Sequence, residues 1–192
     1  MKKKPAAKCT LRNLSVAVLM VAMAAATAWA SPTGKMGPMN APPPHNELAP
    51  DAPFLVHGNK VYLQSLKGQP IMVWQVTTWC PSCRAGLETL AQHKSLIDNS
   101  KLKIIVLRDY KNGGYPGDDM EKFAEDVAPA LLHDPHFVFG EDTETLFKLY
   151  NPRHYIDVYQ LIAPNGQVAV RSSTPSATFD KIEHFIKTKA GP

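Results

Sequence analysis

The chain has 192 residues, of which 44% are hydrophobic and 20% are charged, a composition typical of a globular protein with one sizeable core. Of its 21 basic residues, five lie in residues 1–30, which contain no acidic residue. Residues 31–192 contain the other 16 basic residues and 17 acidic residues, so this larger part has a net charge near −1. A near-neutral body gives no electrostatic reason to expect nucleic acid or an anionic membrane as a partner.

Residues 1–30 have the pattern of a secretory signal peptide. A lysine-rich start precedes an apolar run over 14–28, and Ala28-Trp29-Ala30 supplies the small-x-small sequence that signal peptidase cleaves. The run of about 15 residues is shorter than the roughly 20 that span a bilayer, which disfavours the alternative of an uncleaved membrane anchor. We therefore predict an exported, periplasmic or extracytoplasmic protein that contacts the membrane only where the signal is retained. Cys9 lies before the apolar run and leaves with the signal.

A proline-rich linker is predicted over residues 31–53, which contain seven prolines among serine, threonine, glycine and asparagine. Met36, Met39 and His45 lie within it, and soft thioether ligands suit Cu(I), so a copper site is the alternative. Such residues scattered through a linker are more typical of a tether. We therefore assign 31–53 as linker and 54–192 as the folded domain.

Strand and helix patterns alternate from Phe54 onward. This alternation, followed by a terminal hairpin, predicts an α/β fold with a mixed sheet. The predicted elements are a hairpin of 54–56 and 61–63 turning at Asn59-Lys60, a strand at 71–76, a helix at 83–97, a strand at 102–107, a glycine-rich loop at 109–119, a helix at 120–132 interrupted near Pro129, a strand at 137–139, a helix at 143–150, a hairpin of 158–162 and 168–171, and a helix at 176–187.

Removal of the signal leaves two cysteines, Cys80 and Cys83, where the strand at 71–76 meets the following helix. A bridge between cysteines three positions apart closes a very small loop and restricts the unfolded chain little. The pair is therefore better explained by its chemistry than by structural value. A half zinc site is the alternative, but it needs two further ligands, and the only close histidine pair is His133 and His136.

The sequence Trp79-Cys80-Pro81-Ser82-Cys83 suits thiol chemistry at a helix start. With Cys80 as the N-cap, unpaired backbone N–H groups and the helix dipole lower its thiol pKa. Pro81 fits the first helical position, where its missing N–H costs nothing. Cys83 follows almost one turn later on the same face, close enough for a disulfide, and Arg84 adds a positive charge. The outer thiolate of Cys80 would attack a substrate disulfide, and Cys83 would resolve the mixed disulfide.

Two segments resemble the exported thioredoxin-like proteins of the TlpA/ResA/DsbE type. They are Leu66-Lys67-Gly68-Gln69-Pro70 with the strand leading to Thr77-Thr78-Trp79-Cys80-Pro81-Ser82-Cys83, and the hairpin over 158–168. The resemblance covers roughly residues 50–190. It implies a thioredoxin fold with an added N-terminal β-hairpin that exchanges electrons with protein disulfides and needs no cofactor. The implied partners are protein thiols and disulfides, with a membrane thiol donor if the protein is a reductase.

Two positions depart from this family. Asp157, counted back from Gly166, stands where the family has a cis-proline. A cis bond at a non-proline residue costs roughly 2.5–4 kcal/mol, so we expect a trans or differently shaped loop. The Asp157 carboxylate is expected either to lie near Cys80 and raise its thiol pKa or to point to solvent. Glu88 is the candidate for the family's acidic residue on the first helix, with a solvated helix residue as the alternative.

Two relatives that share the fold give alternative functions, the first indicated by the absent proline and the second by Thr77. Sco copper chaperones use two cysteines and a histidine shortly before this hairpin, so Cys80, Cys83 and His154 form an alternative copper set, although Sco proteins have three residues between their cysteines. Peroxiredoxins carry a threonine three residues before their reactive cysteine, which Thr77 matches. Four residues before this threonine, where peroxiredoxins have a proline, this chain has Val73. Copper delivery and thiol peroxidase activity are therefore alternatives to disulfide exchange.

Overall fold

The computed structural model describes residues 47–191. The predicted signal peptide, with Cys9, and the linker residues 31–46, with Met36, Met39 and His45, lie outside the described residues. Within 47–191, none of the helices combines the length and the apolar character needed to cross a bilayer.

The strands in the described part of the chain form one mixed sheet. They are β1 (Pro53–Val56), β2 (Asn59–Tyr62), β3 (Ile71–Val76), β4 (Lys103–Arg108), β5 (Phe137–Glu141), β6 (Val158–Ile162) and β7 (Val168–Ser173). Their spatial order is β2-β1-β5-β4-β3-β6-β7. β3, β4 and β5 are mutually parallel, whereas the pairs β1–β2, β1–β5, β3–β6 and β6–β7 are antiparallel. The predicted α/β fold with a central mixed sheet and an N-terminal hairpin is confirmed.

Helices connect the strands and enclose two apolar cores. The α-helices are α1 (Pro81–Gln92), α2 (Lys94–Asp98), α3 (Met120–Val127), α4 (Pro129–Leu132), α5 (Glu144–Tyr150) and α6 (Phe179–Lys189), with 3₁₀ turns at Leu63–Leu66 and Tyr110–Gly114. One core joins Trp74 of β3 to residues of α1, α3 and α6. The other joins Val73 of the same strand to residues of α5 and β1. β3 is buried on both faces, which explains its nearly continuous apolar sequence.

The first hairpin turns at His57-Gly58 rather than at the predicted Asn59-Lys60. Both turn residues have positive φ, 48° and 77°, as in the type I′ turn whose twist matches that of antiparallel strands. Asn59 and Lys60 therefore belong to β2 and pair with β1.

Two predicted helices are interrupted in the structure. The helix expected over 83–97 is divided at His93, whose ring stacks on Phe179 with centroids 3.9 Å apart. The helix expected over 120–132 breaks at Ala128 (φ −149°, ψ 65°), as predicted near Pro129. Proline disfavours the helical conformation in the residue before it, which accounts for this second break.

Glu47, the first residue that the structure describes, already contacts the sheet, although the predicted start of the folded domain is Phe54. Val168 N–H donates to the Glu47 carbonyl and Ala49 N–H donates to the Gly166 carbonyl, each at 2.9 Å. Part of the segment 47–52, which its composition assigns to the linker, is thus hydrogen-bonded to the turn between β6 and β7.

Candidate redox-active site

The two cysteines lie where β3 passes into α1. Cys80 is the N-cap residue, with an extended backbone (φ −86°, ψ 123°), and Pro81 is the first helical residue. The Cys80 carbonyl accepts from Arg84 N–H at 3.2 Å, and Cys80 N–H donates to the Thr77 carbonyl at 3.2 Å. The predicted positions of Cys80 and Pro81 are therefore confirmed.

The two sulfurs differ in their access to solvent. Cys80 is 7% exposed, whereas Cys83 is completely buried in the core under α1. Both are free thiols in this structure, and the Cys80 Sγ lies 3.1 Å from the Ser82 Oγ. Cys80 is the outer cysteine and Cys83 the inner one, as the sequence indicates.

Hydrogen bonding separates the pKa values of the two thiols. The Cys83 thiol donates to Cys80 and, with the Ser82 hydroxyl and the backbone N–H groups of both residues, lowers the pKa of the Cys80 thiol to about 5 against the opposing effect of burial. The same hydrogen bond and burial raise the pKa of the Cys83 thiol. At neutral pH the pair therefore holds one proton on Cys83 and a negative charge on Cys80.

Asp157 lies directly before β6 and is buried, with 2% exposure. Its Oδ1 accepts from Trp74 Nε1 at 2.8 Å, and burial raises the pKa of its carboxyl group. Its charge raises the pKa of the Cys83 thiol, whereas our prediction named Cys80. The alternative that it points to solvent is wrong, because Trp74 on β3 holds the carboxylate inside the protein.

Arg84 and Glu88 both lie on the exposed face of α1. The Arg84 guanidinium lies over the Phe123 ring, 5.7 Å from its centroid. We predicted that the helix N-terminus lowers the pKa of the Cys80 thiol and that Arg84 adds to this effect, but the main cause is the Cys83 hydrogen bond and Arg84 is not among the causes. Exposure of Glu88 agrees with the alternative of a solvated helix residue.

The loop after β4 packs on the residues that precede Cys80. Trp79 Nε1 donates to the Asn112 carbonyl at 2.8 Å, and Thr78 N–H donates to Asn112 Oδ1 at 3.0 Å. The sequence predicts only a glycine-rich loop in this segment, and the role of Asn112 is not among the predictions. An asparagine directly before Gly113-Gly114 is a signal for left-handed backbone, and it was available in the sequence.

The structure does not bring His154 to the two sulfurs. The His154 ring lies edge-on to Phe147 of α5, with centroids 4.7 Å apart. Within 47–191, only Asp98, Asp134 and His136 form a set of three possible metal ligands with all ligand atoms within 4.8 Å of one another. Lys94 pairs with both of these aspartates, so a cation already occupies that set. His133 is exposed and does not belong to it.

Thr77, the position that matches peroxiredoxins, lies inside the protein. Its side chain is fully buried, and its Oγ1 has no hydrogen-bond partner in the described part of the chain. It therefore makes no hydrogen bond with the Cys80 sulfur. Val73, at the position of the expected proline, lies in the second core.

No protein-family model and no curated protein matches this chain. Solved structures do match it. A thioredoxin-like protein from Aeropyrum pernix has a TM-score of 0.57 and 20% identity, covering 72% of this chain and 89% of its own. A secreted Mycobacterium tuberculosis disulfide oxidoreductase homologous to E. coli DsbE has a TM-score of 0.52 and 19% identity, covering 72% and 95%.

A third match is BsSco, a member of the Sco family of cytochrome c oxidase assembly proteins, with a TM-score of 0.54 and 18% identity over 76% of this chain and 95% of its own. At such identities the likeness shows the fold. This chain has the thioredoxin-like fold that its sequence predicted. The structures that it resembles include thioredoxin-like and disulfide oxidoreductase proteins.

Proposed function

We propose that this protein is an exported thiol–disulfide oxidoreductase, similar to the TlpA/ResA/DsbE type, that exchanges electrons with protein disulfides through Cys80 and Cys83. The arrangement of a thiolate at a helix N-terminus beside a buried thiol carries the proposal. The signal pattern of residues 1–30 supports export to a periplasmic or other extracytoplasmic compartment. The exchange requires no cofactor, and its partners are protein thiols and disulfides, with a membrane thiol donor in the reducing direction.

The chemistry proceeds through a mixed disulfide. The Cys80 thiolate attacks one sulfur of the substrate disulfide, whose S–S bond breaks as the other sulfur leaves as a thiolate. Cys80 then no longer carries a charge, so the Cys83 proton loses the hydrogen bond that held it. This proton passes, directly or through water, to the substrate thiolate released in the first step, and the Cys83 thiolate attacks the Cys80 sulfur. The Cys80–Cys83 disulfide forms and the second substrate thiolate leaves, so two electrons have passed to the substrate. The reverse sequence oxidises a dithiol.

The proposal is tested by trapping the mixed disulfide. Cys83→Ser keeps the Cys80 nucleophile and removes the resolving thiol, so the variant is expected to accumulate a covalent adduct with a disulfide-bonded protein such as insulin. Non-reducing electrophoresis and mass spectrometry measure the adduct and its site. The matched variant Cys80→Ser is expected to give no adduct. Adduct formation through Cys83 alone, or none with either variant, would contradict the proposal.

Asp157→Asn is expected to speed the resolving step several-fold at neutral pH. The substitution removes the buried charge that raises the Cys83 pKa, while an asparagine oxygen still accepts from Trp74. Stopped-flow measurement of adduct decay against pH is expected to show a lower apparent pKa for resolution. The control is Asp142→Asn, which alters another buried carboxyl group, one that accepts a hydrogen bond from Gln75 and not from Trp74. Slower resolution in Asp157→Asn would show that the carboxylate instead accepts the Cys83 proton.

A further inference from the structure

Two buried aspartates lie side by side at the end of the sheet. Asp109 directly follows β4, and Asp142 directly follows β5. The last residues of these parallel strands, Arg108 and Glu141, are paired in register, and Asp142 N–H still donates to the Arg108 carbonyl at 2.9 Å. Neighbouring strands lie about 4.8 Å apart and side chains at paired positions share a face, so the two carboxyl groups are neighbours on one face of the sheet.

The protein encloses this aspartate pair without giving it a cation. Asp109 is 5% exposed and Asp142 is 6% exposed. Tyr110 N–H donates to Asp109 Oδ1 at 3.0 Å, and Gln75 Nε2 donates to Asp142 Oδ2 at 2.6 Å. Asp142 Oδ1 is buried and has no hydrogen-bond partner within 47–191. In the same part of the chain, no lysine, arginine or histidine pairs with either carboxyl group.

Burial and the closeness of the two groups favour their protonated forms. Burial raises the pKa of the Asp109 carboxyl group to about 7, against the hydrogen bond from Tyr110 N–H. Burial also raises the pKa of the Asp142 carboxyl group to about 7, against the hydrogen bond from Gln75 and with a further increase from the Asp109 charge. Because two adjacent carboxylates repel each other, the protons leave the pair in two coupled steps.

The other titratable side chains near the pair lie closer to solvent. They are Tyr110 and Lys111 in the 3₁₀ turn after β4, Glu144 and Lys148 in an ion pair on α5, His154 after α5, and Arg108 and Glu141 in an ion pair on the other face of the strands. None of these side chains contributes to the pKa of either aspartate. The charge of the enclosed region therefore depends on the two aspartates themselves.

Each aspartate begins one of two segments that contact each other. The 3₁₀ turn Tyr110–Gly114 follows Asp109, and α5 follows Asp142 after one residue. The Tyr110 ring contacts the Phe147 ring of α5, with centroids 6.2 Å apart. Repulsion between the two carboxylates therefore acts to separate the 3₁₀ turn from α5.

We infer that Asp109 and Asp142 share a proton and form a pH-sensitive switch, which keeps the turn Tyr110–Gly114 on α5 while the proton is bound and releases it when the proton leaves. Release admits water to both carboxylates and requires only local opening of the domain. Because folding raises the pKa of these groups, their stabilising effect is present at acidic pH and is lost as pH rises through the neutral range. Asn112 of the same turn bonds to Thr78 and Trp79, so release also changes the surroundings of the redox motif.

Hydrogen exchange of the backbone amides measures this release. In the oxidised protein, where Cys80 does not titrate, the amides of Tyr110–Gly114 are expected to lose protection about tenfold or more between about pH 6 and pH 8, after correction for the intrinsic exchange rate. In Asp142→Asn, whose side-chain oxygen still accepts from Gln75, the loss is expected to be less than about twofold, because one carboxylate has no partner to repel. Asp109→Asn is expected to behave in the same way. The matched control is Asp134→Asn, since Asp134 is a buried carboxyl group that pairs with Lys94, and it is expected to behave as the unaltered protein.

Carbon-13 NMR of the aspartate carboxyl groups tests the shared proton without any substitution. The Asp109 and Asp142 signals of the unaltered protein are expected to titrate together in two steps, the upper step in the neutral range. Asp134 is expected to titrate only at acidic pH, because its hydrogen bonds to Lys94 and to His136 N–H outweigh its burial and lower its pKa. Complete ionisation of Asp109 and Asp142 at acidic pH would overturn the shared proton. Protection of Tyr110–Gly114 that does not change with pH, or that changes equally in both asparagine variants, would overturn the switch. Neither measurement uses thiol exchange, so these outcomes leave the proposed function standing.

Discussion

Iodoacetamide is expected to alkylate Cys80 of the reduced protein and to leave Cys83 unmodified at mildly acidic to neutral pH. The pKa of the Cys80 thiol is lowered to about 5, so this thiol is ionised in this range, while the hydrogen bond to Cys80 and burial raise the pKa of the Cys83 thiol. Only the thiolate is the nucleophile. The alkylation rate should therefore rise with pH and level off well below the range where a free cysteine, with a pKa of about 8.5, ionises.

The hydrogen bond between the two thiols provides the control. Cys83→Ala removes the largest cause of the low Cys80 pKa, so the rate profile of this variant should shift toward higher pH. Absorbance of the thiolate in the ultraviolet measures the same titration without alkylation. Mass spectrometry of digested protein assigns the modified residue. Modification of Cys83 before Cys80 would reverse the assignment of nucleophile and resolving thiol.

The parts of the structure that sequence predicted well depend on local signals. β3 was predicted with its observed bounds because an apolar run buried on both faces, followed by a turn, has few other interpretations. Cys80 was placed at the N-cap because Pro81 is favoured at the first helical position and excluded from later ones. Both features follow from residues close together in the chain.

The parts that sequence missed depend on contacts between distant residues. Asp157 bonds to Trp74 from 83 positions away, and this contact turns a loop residue into a buried carboxylate. Arg84 was expected to assist Cys80 because it is close in sequence, but Phe123 of α3 stacks against its guanidinium. Asn112 bonds to Thr78 across 34 positions. The family resemblance singled out Asp157, but sequence spacing carries no information about such pairs. The hydrogen bond of Asp157 to Trp74, its effect on Cys83 and the loop beside Trp79 therefore became visible only in the folded chain.

The stability of the reduced protein is expected to depend on pH through Cys80. The folded pKa of this thiol, about 5, lies well below its ordinary value, so its ionisation stabilises the folded state. For a group whose pKa is lowered by folding, this stabilisation is complete above the ordinary pKa and is lost as pH falls through the folded pKa. Between these limits the unfolded chain binds a proton that the folded chain does not. The free energy of unfolding should then rise with pH by at most about 1.4 kcal/mol per pH unit.

The oxidised protein is the matched control for this effect, because its disulfide has no thiol to titrate. Urea unfolding of both forms across this pH range should give a difference in unfolding free energy that increases with pH. Below about pH 7.5, one unit under the ordinary cysteine pKa, Cys83 does not contribute, since it is protonated in both the folded and the unfolded state. Stabilisation of the reduced form makes a disulfide a stronger oxidant, so the reduction potential should rise relative to that of an unfolded dithiol over the same range. A difference independent of pH would show that folding does not stabilise the Cys80 thiolate, and the nucleophile would need another source of activation.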